Sequence, residues 1–90
     1  MEIGDVRVRL VHKEGILRAI ASVTIDGCFV VHDIKIFERE GENFIGMPSR
    51  KTSEGEYKDI AHPINAETRA QLQEAILTRY REVLREEGQA

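Results

Sequence analysis

The residues best suited to chemistry in this 90-residue chain are two adjacent cations in a short central loop. Arg50 and Lys51 lie between Pro48, which has a fixed φ, and Gly55, which can take a positive φ. A residue typical of turns therefore bounds the loop on each side. Arg offers a planar fork of donors and Lys a mobile point charge, and both suit contact with phosphate oxygens. Arg-Lys pairs also occur on solvated loops, so the residues alone leave two alternatives: a phosphate-binding site and an incidental solvated loop.

The other reactive side chains form no catalytic or metal-binding pattern in the sequence. His12, His32 and His62 are not spaced as ligands of zinc or haem, and Cys28 has no second cysteine as a partner. No serine or carboxylate has an evident partner that would make it a nucleophile or a general base. We therefore predict that the protein is not an enzyme, and we expect no metal, no cofactor and no small-molecule substrate.

Length and charge limit the class of protein. Ninety residues predict a single domain over residues 1–90 with a thin margin of stability, which makes association with a second subunit favourable. The formal net charge is −3, which argues against indiscriminate binding to polyanions but permits a local basic patch. The sequence has no long apolar run and no signal-peptide pattern, and its single cysteine fits a reducing compartment. We therefore expect a cytoplasmic protein with no membrane segment.

Hydrophobic periodicity predicts an α+β fold in which an antiparallel sheet of about five strands is followed by one long C-terminal helix. Alternation of apolar and charged residues over Asp5–Val11 indicates a strand with one solvated face. Strands are predicted over about residues 3–61, and the helix over about residues 66–87 with Asn65 as its N-cap. The further predicted strands are Ile16–Ile25, Cys28–Phe37, Phe44–Met47 and Tyr57–Ala61.

The dipeptide Asp26-Gly27 predicts a two-residue turn of type I′. An unbroken register from that turn pairs Ile25 with Cys28 and places Cys28 and His32 on the apolar core face, where we expect both to be structural. The opposite face would then carry several large apolar side chains that a single helix cannot cover, and this predicts a homodimer. Those side chains are Ile20, Phe29, Val31 and Phe37.

Four stretches of the chain, in order, resemble the stage V sporulation protein G (SpoVG) family. The similarity runs from Met1 to about Tyr80, and it departs from the family's pattern at Gly46 and Ser53, where alanine and proline are common. The resembling stretches are Arg18–Ile25, Phe29–Ile34, Phe44–Thr52 and Tyr57–Asn65.

This resemblance implies a small bacterial regulator that binds DNA, and also RNA, as a homodimer. It implies effects on gene expression and on septation or sporulation-type processes. Arg50 and Lys51 match the basic loop that is assigned to DNA contact in the family, and Lys58 and Arg69 are further candidate nucleic-acid contacts. The alternative is a protein-interaction module without direct nucleic-acid binding, in which the basic loop is incidental.

Overall fold

A computed structural model describes residues 1–88, so residues 89 and 90 of the predicted domain lie outside the described part of the chain. Within residues 1–88 the chain forms a four-stranded antiparallel sheet of order β1-β2-β3-β4, a separate two-stranded sheet of β5 and β6, and one C-terminal helix. The predicted α+β class is confirmed, with six strands in two sheets. The elements are β1 (Ile3–Leu10), β2 (Leu17–Ile25), β3 (Phe29–Arg39), β4 (Glu42–Gly46), β5 (Ser49–Lys51), β6 (Tyr57–Asp59) and α1 (Ala66–Gly88).

The core lies between one face of the four-stranded sheet and the apolar stripe of α1. Ala19 and Ala21 on β2 are buried, and their small side chains leave room for the larger ones of the helix. Ile76 on α1 is fully buried at the centre of this contact. Burial raises the pKa of the Tyr80 hydroxyl, and the nearby carboxylate of Glu38 raises it further. The remaining buried core residues are Val23, Ile34, Ile36, Leu72 and Val83.

Asn65 starts the helix as predicted. Its side-chain Oδ1 accepts a hydrogen bond of 2.7 Å from the Thr68 N–H, and its carbonyl accepts one of 3.2 Å from the Arg69 N–H. Glu67 in the first turn and Arg85 in the last turn complement the helix dipole. Within the part of the chain described, no helix is both long and apolar enough to cross a membrane.

The β2–β3 hairpin differs from the predicted register. Asp26 and Gly27 take positive φ values of 53° and 66°, as a type I′ turn requires, and the Cys28 N–H donates to the Ile25 carbonyl at 3.1 Å. The ladder nevertheless begins one residue later, with Ile25 opposite Phe29, so Cys28 stands outside it. The predicted pairing of Ile25 with Cys28 is therefore wrong.

A β-bulge shifts the register a second time. His32 and Asp33 together lie opposite a single residue of β2, and Asp33 has a left-handed φ of 62°. A bulge changes the phase of the in–out alternation along its own strand. Val31 before the bulge and Ile34 after it consequently both pack against the core, although an unbroken strand would place them on opposite faces.

The predicted burial of Cys28 and His32 is wrong because of these two irregularities. Both side chains are exposed, as is Val30, which the unbroken register also places in the core. Phe29 and Val31, predicted for the opposite face, lie instead on the helix side of the sheet.

We predict that Ile76→Ala lowers the free energy of unfolding by about 2–5 kcal/mol, because it leaves a cavity at the centre of the helix–sheet contact. Leu84→Ala is the matched control on the same helix, since Leu84 is 42% exposed. We expect it to cost less than about 1 kcal/mol. Urea unfolding of both variants at one protein concentration measures the difference, and equal losses would contradict the assigned core.

We also predict that the Cys28 thiol reacts with a maleimide in the native protein about as fast as in the urea-unfolded chain. Its position outside the β2–β3 ladder, at an exposed hairpin tip, leaves the sulfur open to the reagent. Mass spectrometry of timed samples measures the rate, and Cys28→Ser gives the unlabelled control. Labelling that is slow until the protein unfolds would restore the buried position.

Candidate nucleic-acid interface

The predicted basic loop is a short β-hairpin made of β5 and β6. Arg50 lies opposite Lys58, and Lys51 lies opposite Tyr57. Because successive strand residues point to opposite faces, Arg50 and Lys58 share one face of the hairpin while Lys51 and Tyr57 share the other. We call this segment, residues 48–60, the basic hairpin. Its cations therefore project on two sides.

Thr52 organises the turn of the basic hairpin. Its N–H donates to the Glu56 carbonyl at 2.6 Å, and its own carbonyl accepts from the Gly55 N–H at 3.0 Å. Its Oγ1 also accepts from the Glu56 N–H at 3.3 Å. Gly55 takes a φ of 88°, which other residues rarely adopt. At the base, the Ile60 N–H donates to the Pro48 carbonyl at 2.7 Å, so both ends of the hairpin are tied by backbone bonds.

Two like charges face each other across the basic hairpin. Side chains directly opposite on neighbouring strands are close, so the Arg50–Lys58 pair is repulsive unless an anion lies between them. Among residues 1–88, no carboxylate oxygen lies within 4.0 Å of a cationic nitrogen of Arg50, Lys51 or Lys58. A phosphate group would supply the missing negative charge to both side chains at once. The carboxylates of the hairpin are Glu54, Glu56 and Asp59.

Arg69 occupies a different position from the other three candidates. It is exposed on the first turns of α1 and lines a small cavity with Met47 and Pro63, next to the segments that lead into and out of the basic hairpin. The fold thus brings Arg50, Lys51 and Lys58 onto one hairpin and places Arg69 near its base.

Arg79 of α1 is engaged in ion pairs. It contacts Glu82 at 3.2 Å and Glu86 at 3.5 Å, and the hydrogen bond to Glu82 is the main reason that the Arg79 pKa is raised. Arg79 therefore belongs to a salt-bridged face of the helix and not to the candidate interface.

Two further features belong to this surface. Tyr57 is 72% exposed opposite Lys51. In addition, Lys35 and Arg39 on β3 share with Arg7 and Arg9 of β1 the sheet face that α1 leaves free. Alternation along β1 indicated the two β1 residues, and the unbroken β2–β3 register also places Lys35 opposite the core face. Arg39 was missed because the predicted strand ended at Phe37, whereas β3 continues to Arg39.

Comparison with known proteins gives a consistent result. The family model named SpoVG matches residues 1–82. A protein of Caldicellulosiruptor bescii named "Putative septation protein SpoVG" is 58% identical over 84 residues, which cover 93% of this chain and 96% of the relative. A protein of the same name from Lachnospira eligens is 61% identical over 80 residues, covering 89% of this chain and 91% of that one. Another from Clostridium perfringens is 59% identical over 83 residues, with 92% of both chains covered.

Proposed function

The chain belongs to the SpoVG family, and on that premise we propose that it is a cytoplasmic, nucleic-acid-binding bacterial regulator that acts as a homodimer. It binds DNA, and also RNA, through the basic hairpin and performs no catalysis. Through this binding it affects gene expression and septation or sporulation-type processes. The observation that carries the proposal is the exposed Arg50–Lys58 pair, whose like charges face each other without a carboxylate partner among residues 1–88.

Phosphate contacts explain how the hairpin would bind. Arg50 and Lys58 hold one phosphate between them, while Lys51 on the other side of the hairpin reaches a second. Such contacts position a protein on the backbone and carry no sequence information, so base or shape readout comes from other residues. Arg69, near the base of the hairpin, is a further candidate donor.

The net charge of −3 is compatible with this mechanism. At physiological ionic strength the screening length is about 8 Å, so a phosphate held between Arg50 and Lys58 senses these two cations more strongly than the distant carboxylates of α1. The hairpin also carries Glu54, Glu56 and Asp59, so the direct contact of the paired cations, and not the net charge of the hairpin, carries the proposed binding.

An apolar groove supports the homodimer. A depression of about 380 Å³ lies on the helix side of the sheet, between the β2–β3 hairpin and the segment that precedes α1. Ile64 at its rim is 90% exposed and Phe29 is 64% exposed, which is unfavourable for a monomer in water. A second copy of the chain would cover these side chains and double the number of basic hairpins. The groove is lined by Met1, Val23, Ile25, Phe29, Val31, Met47, Ala61, His62, Pro63, Ile64, Thr68 and Leu72.

The same groove favours the alternative function, a protein-interaction module. In that case a partner protein occupies the groove and the basic hairpin is only a solvated surface. A gel shift at several salt concentrations distinguishes the two functions: salt-dependent binding of DNA or RNA supports the regulator, and its absence supports the interaction module.

We predict that Arg50→Ala combined with Lys51→Ala weakens binding to a fluorescein-labelled 30-base-pair duplex and flattens its salt dependence. One phosphate contact from each residue gives about four contacts in a dimer, hence a slope of about −3.6 for log K against log salt from these residues alone. Fluorescence anisotropy at four or more salt concentrations measures the slope.

The control for this experiment is Arg81→Ala combined with Arg85→Ala, which removes the same charge from the exposed side of α1. It should leave the slope nearly unchanged, because those residues lie outside the basic hairpin. If the folded hairpin variant keeps both the affinity and the slope of the parent protein, the assignment of the hairpin is wrong.

We predict that the protein sediments at about twice its chain mass of 10.3 kDa at micromolar concentration and that Ile64→Asp weakens this dimer about tenfold or more. A carboxylate in the groove must lose its hydration when the second copy binds. Ile60→Asp is the control, because Ile60 is 66% exposed but does not line the groove. A parent protein that sediments as a folded monomer would refute the homodimer.

A further inference from the structure

We propose that the sheet face opposite α1 is a second nucleic-acid contact surface, which binds the unpaired bases of a single strand. This surface, called here the open face, consists of the outward residues of β1 to β4. The helix packs on the other face, against Ala19, Ala21 and their neighbours. The proposal rests on the proposed function only for the class of ligand, since its residues lie outside the basic hairpin.

Two strands of the open face, β1 and β3, carry cationic side chains. Arg7 and Arg9 project from β1, and Lys35 and Arg39 from β3. All four side chains are exposed. These cations lie on either side of β2, where Ile20 is opposite Arg9 of β1 and opposite Lys35 of β3. A polyanion crossing the sheet would therefore meet positive charge on both sides of β2.

Two phenylalanines supply a surface for stacking. Phe37 on β3 lies directly opposite Phe44 on β4, and Phe44 is 47% exposed. Together with Ile16 and Arg39 they line a shallow depression of about 340 Å³. An ideal Cβ on Gly46 would lie 2.7 Å from Cε2 of Phe37, so the Phe37 ring lies against the backbone at Gly46. Close packing on one side holds that ring in place while the depression stays open.

Of the four cations of the open face, only Arg7 forms an ion pair within residues 1–88. Asp5 accepts from Arg7 at 2.8 Å. No carboxylate oxygen within residues 1–88 comes within 4.0 Å of a cationic nitrogen of Arg9, Lys35 or Arg39. Arg9 and Lys35 are therefore available to phosphates, whereas Arg39 lies directly opposite Glu42 of β4. The carboxylates of the open face are Asp5, Asp33 and Glu42.

This distribution favours a nucleic acid over a second copy of the chain. A second copy on the open face would bring the same cations together, whereas the cores of protein–protein interfaces are poor in charged residues. A single strand combines both complementary groups, with phosphates for the cations and base rings for the phenylalanines. A duplex offers only its phosphates, because its bases are already stacked on each other.

The dimensions suit a few nucleotides. Four strands span three inter-strand spacings, or about 14 Å, from β1 to β4. In the RNA-recognition motif, a four-stranded sheet with aromatic side chains on its open face stacks two or three bases in this way. We therefore expect the open face to hold a short stretch of a strand whose remainder reaches other parts of the protein.

The test compares three labelled probes of 12 nucleotides: a single strand, an abasic single strand with the same number of phosphates, and a duplex. Phe44→Leu removes the ring but keeps an apolar side chain, and Phe44→Tyr is the matched control that keeps the ring. Phe44→Leu should weaken binding of the single strand about 5- to 150-fold, the range for the loss of one base–aromatic contact. Binding of the abasic strand and the duplex should not change, and Phe44→Tyr should bind all three probes like the parent protein.

The proposal is overturned if Phe44→Leu weakens all three probes equally or none of them. It is also overturned if Phe44→Leu dissociates the dimer in sedimentation, because the open face would then bind a second copy. The Arg50→Ala, Lys51→Ala variant separates the two functions of the protein. If that variant keeps its affinity for duplex while Phe44→Leu still discriminates against the single strand, the basic hairpin assignment fails and the open face is retained. If the parent protein binds none of the probes, both proposals fail.

Discussion

The structure depends on one geometric constraint: a single helix covers a four-stranded sheet. An α-helix with its side chains is about 10 Å wide, whereas the sheet is about 14 Å across between its outer strands. The helix packs over β1 and β2, where Ala19 and Ala21 allow close approach and Ile76 fills the space between them. The fold is therefore stabilised by one well-packed contact, while the end of that face near the β2–β3 hairpin and the face opposite α1 stay uncovered.

The two uncovered surfaces have different chemistry. Next to α1, the groove around Phe29 and Ile64 is almost purely apolar, and no Lys, Arg, Asp or Glu of residues 1–88 lines it. The face opposite α1 combines arginines with aromatic rings. Apolar surface is best covered by more protein, and cationic surface by phosphate, so the proposed self-association and the proposed binding of nucleic acid would use separate surfaces.

The sequence was sufficient to predict the helix and five of the six strands, but neither their exact register nor strand β5, which lies within the predicted basic loop. The turn at Asp26-Gly27, the N-cap at Asn65 and the stripe through Ile76 follow from local rules, and the structure contains all three. The predicted burial of Cys28 is wrong because the register was extrapolated from one turn. The position of a bulge depends on the pairing energies between whole strands, which a turn does not reveal. For the candidate site, adjacency predicted Arg50 and Lys51 as a unit. Only the pairing of β5 with β6 shows that the cross-strand neighbour of Arg50 is Lys58.

The bulge at His32-Asp33 also affects the curvature of the sheet. An extra residue on one strand bends that strand and increases its local right-handed twist. β2 has its own irregularity near Arg18, so the central hairpin is bent at two points rather than one. Deleting Asp33 would leave Val31 and Ile34 facing the helix in an unbroken ladder, but it would straighten the strand between them. Loss of one residue here should therefore be compatible with the hydrophobic core while changing the shape of the face opposite α1.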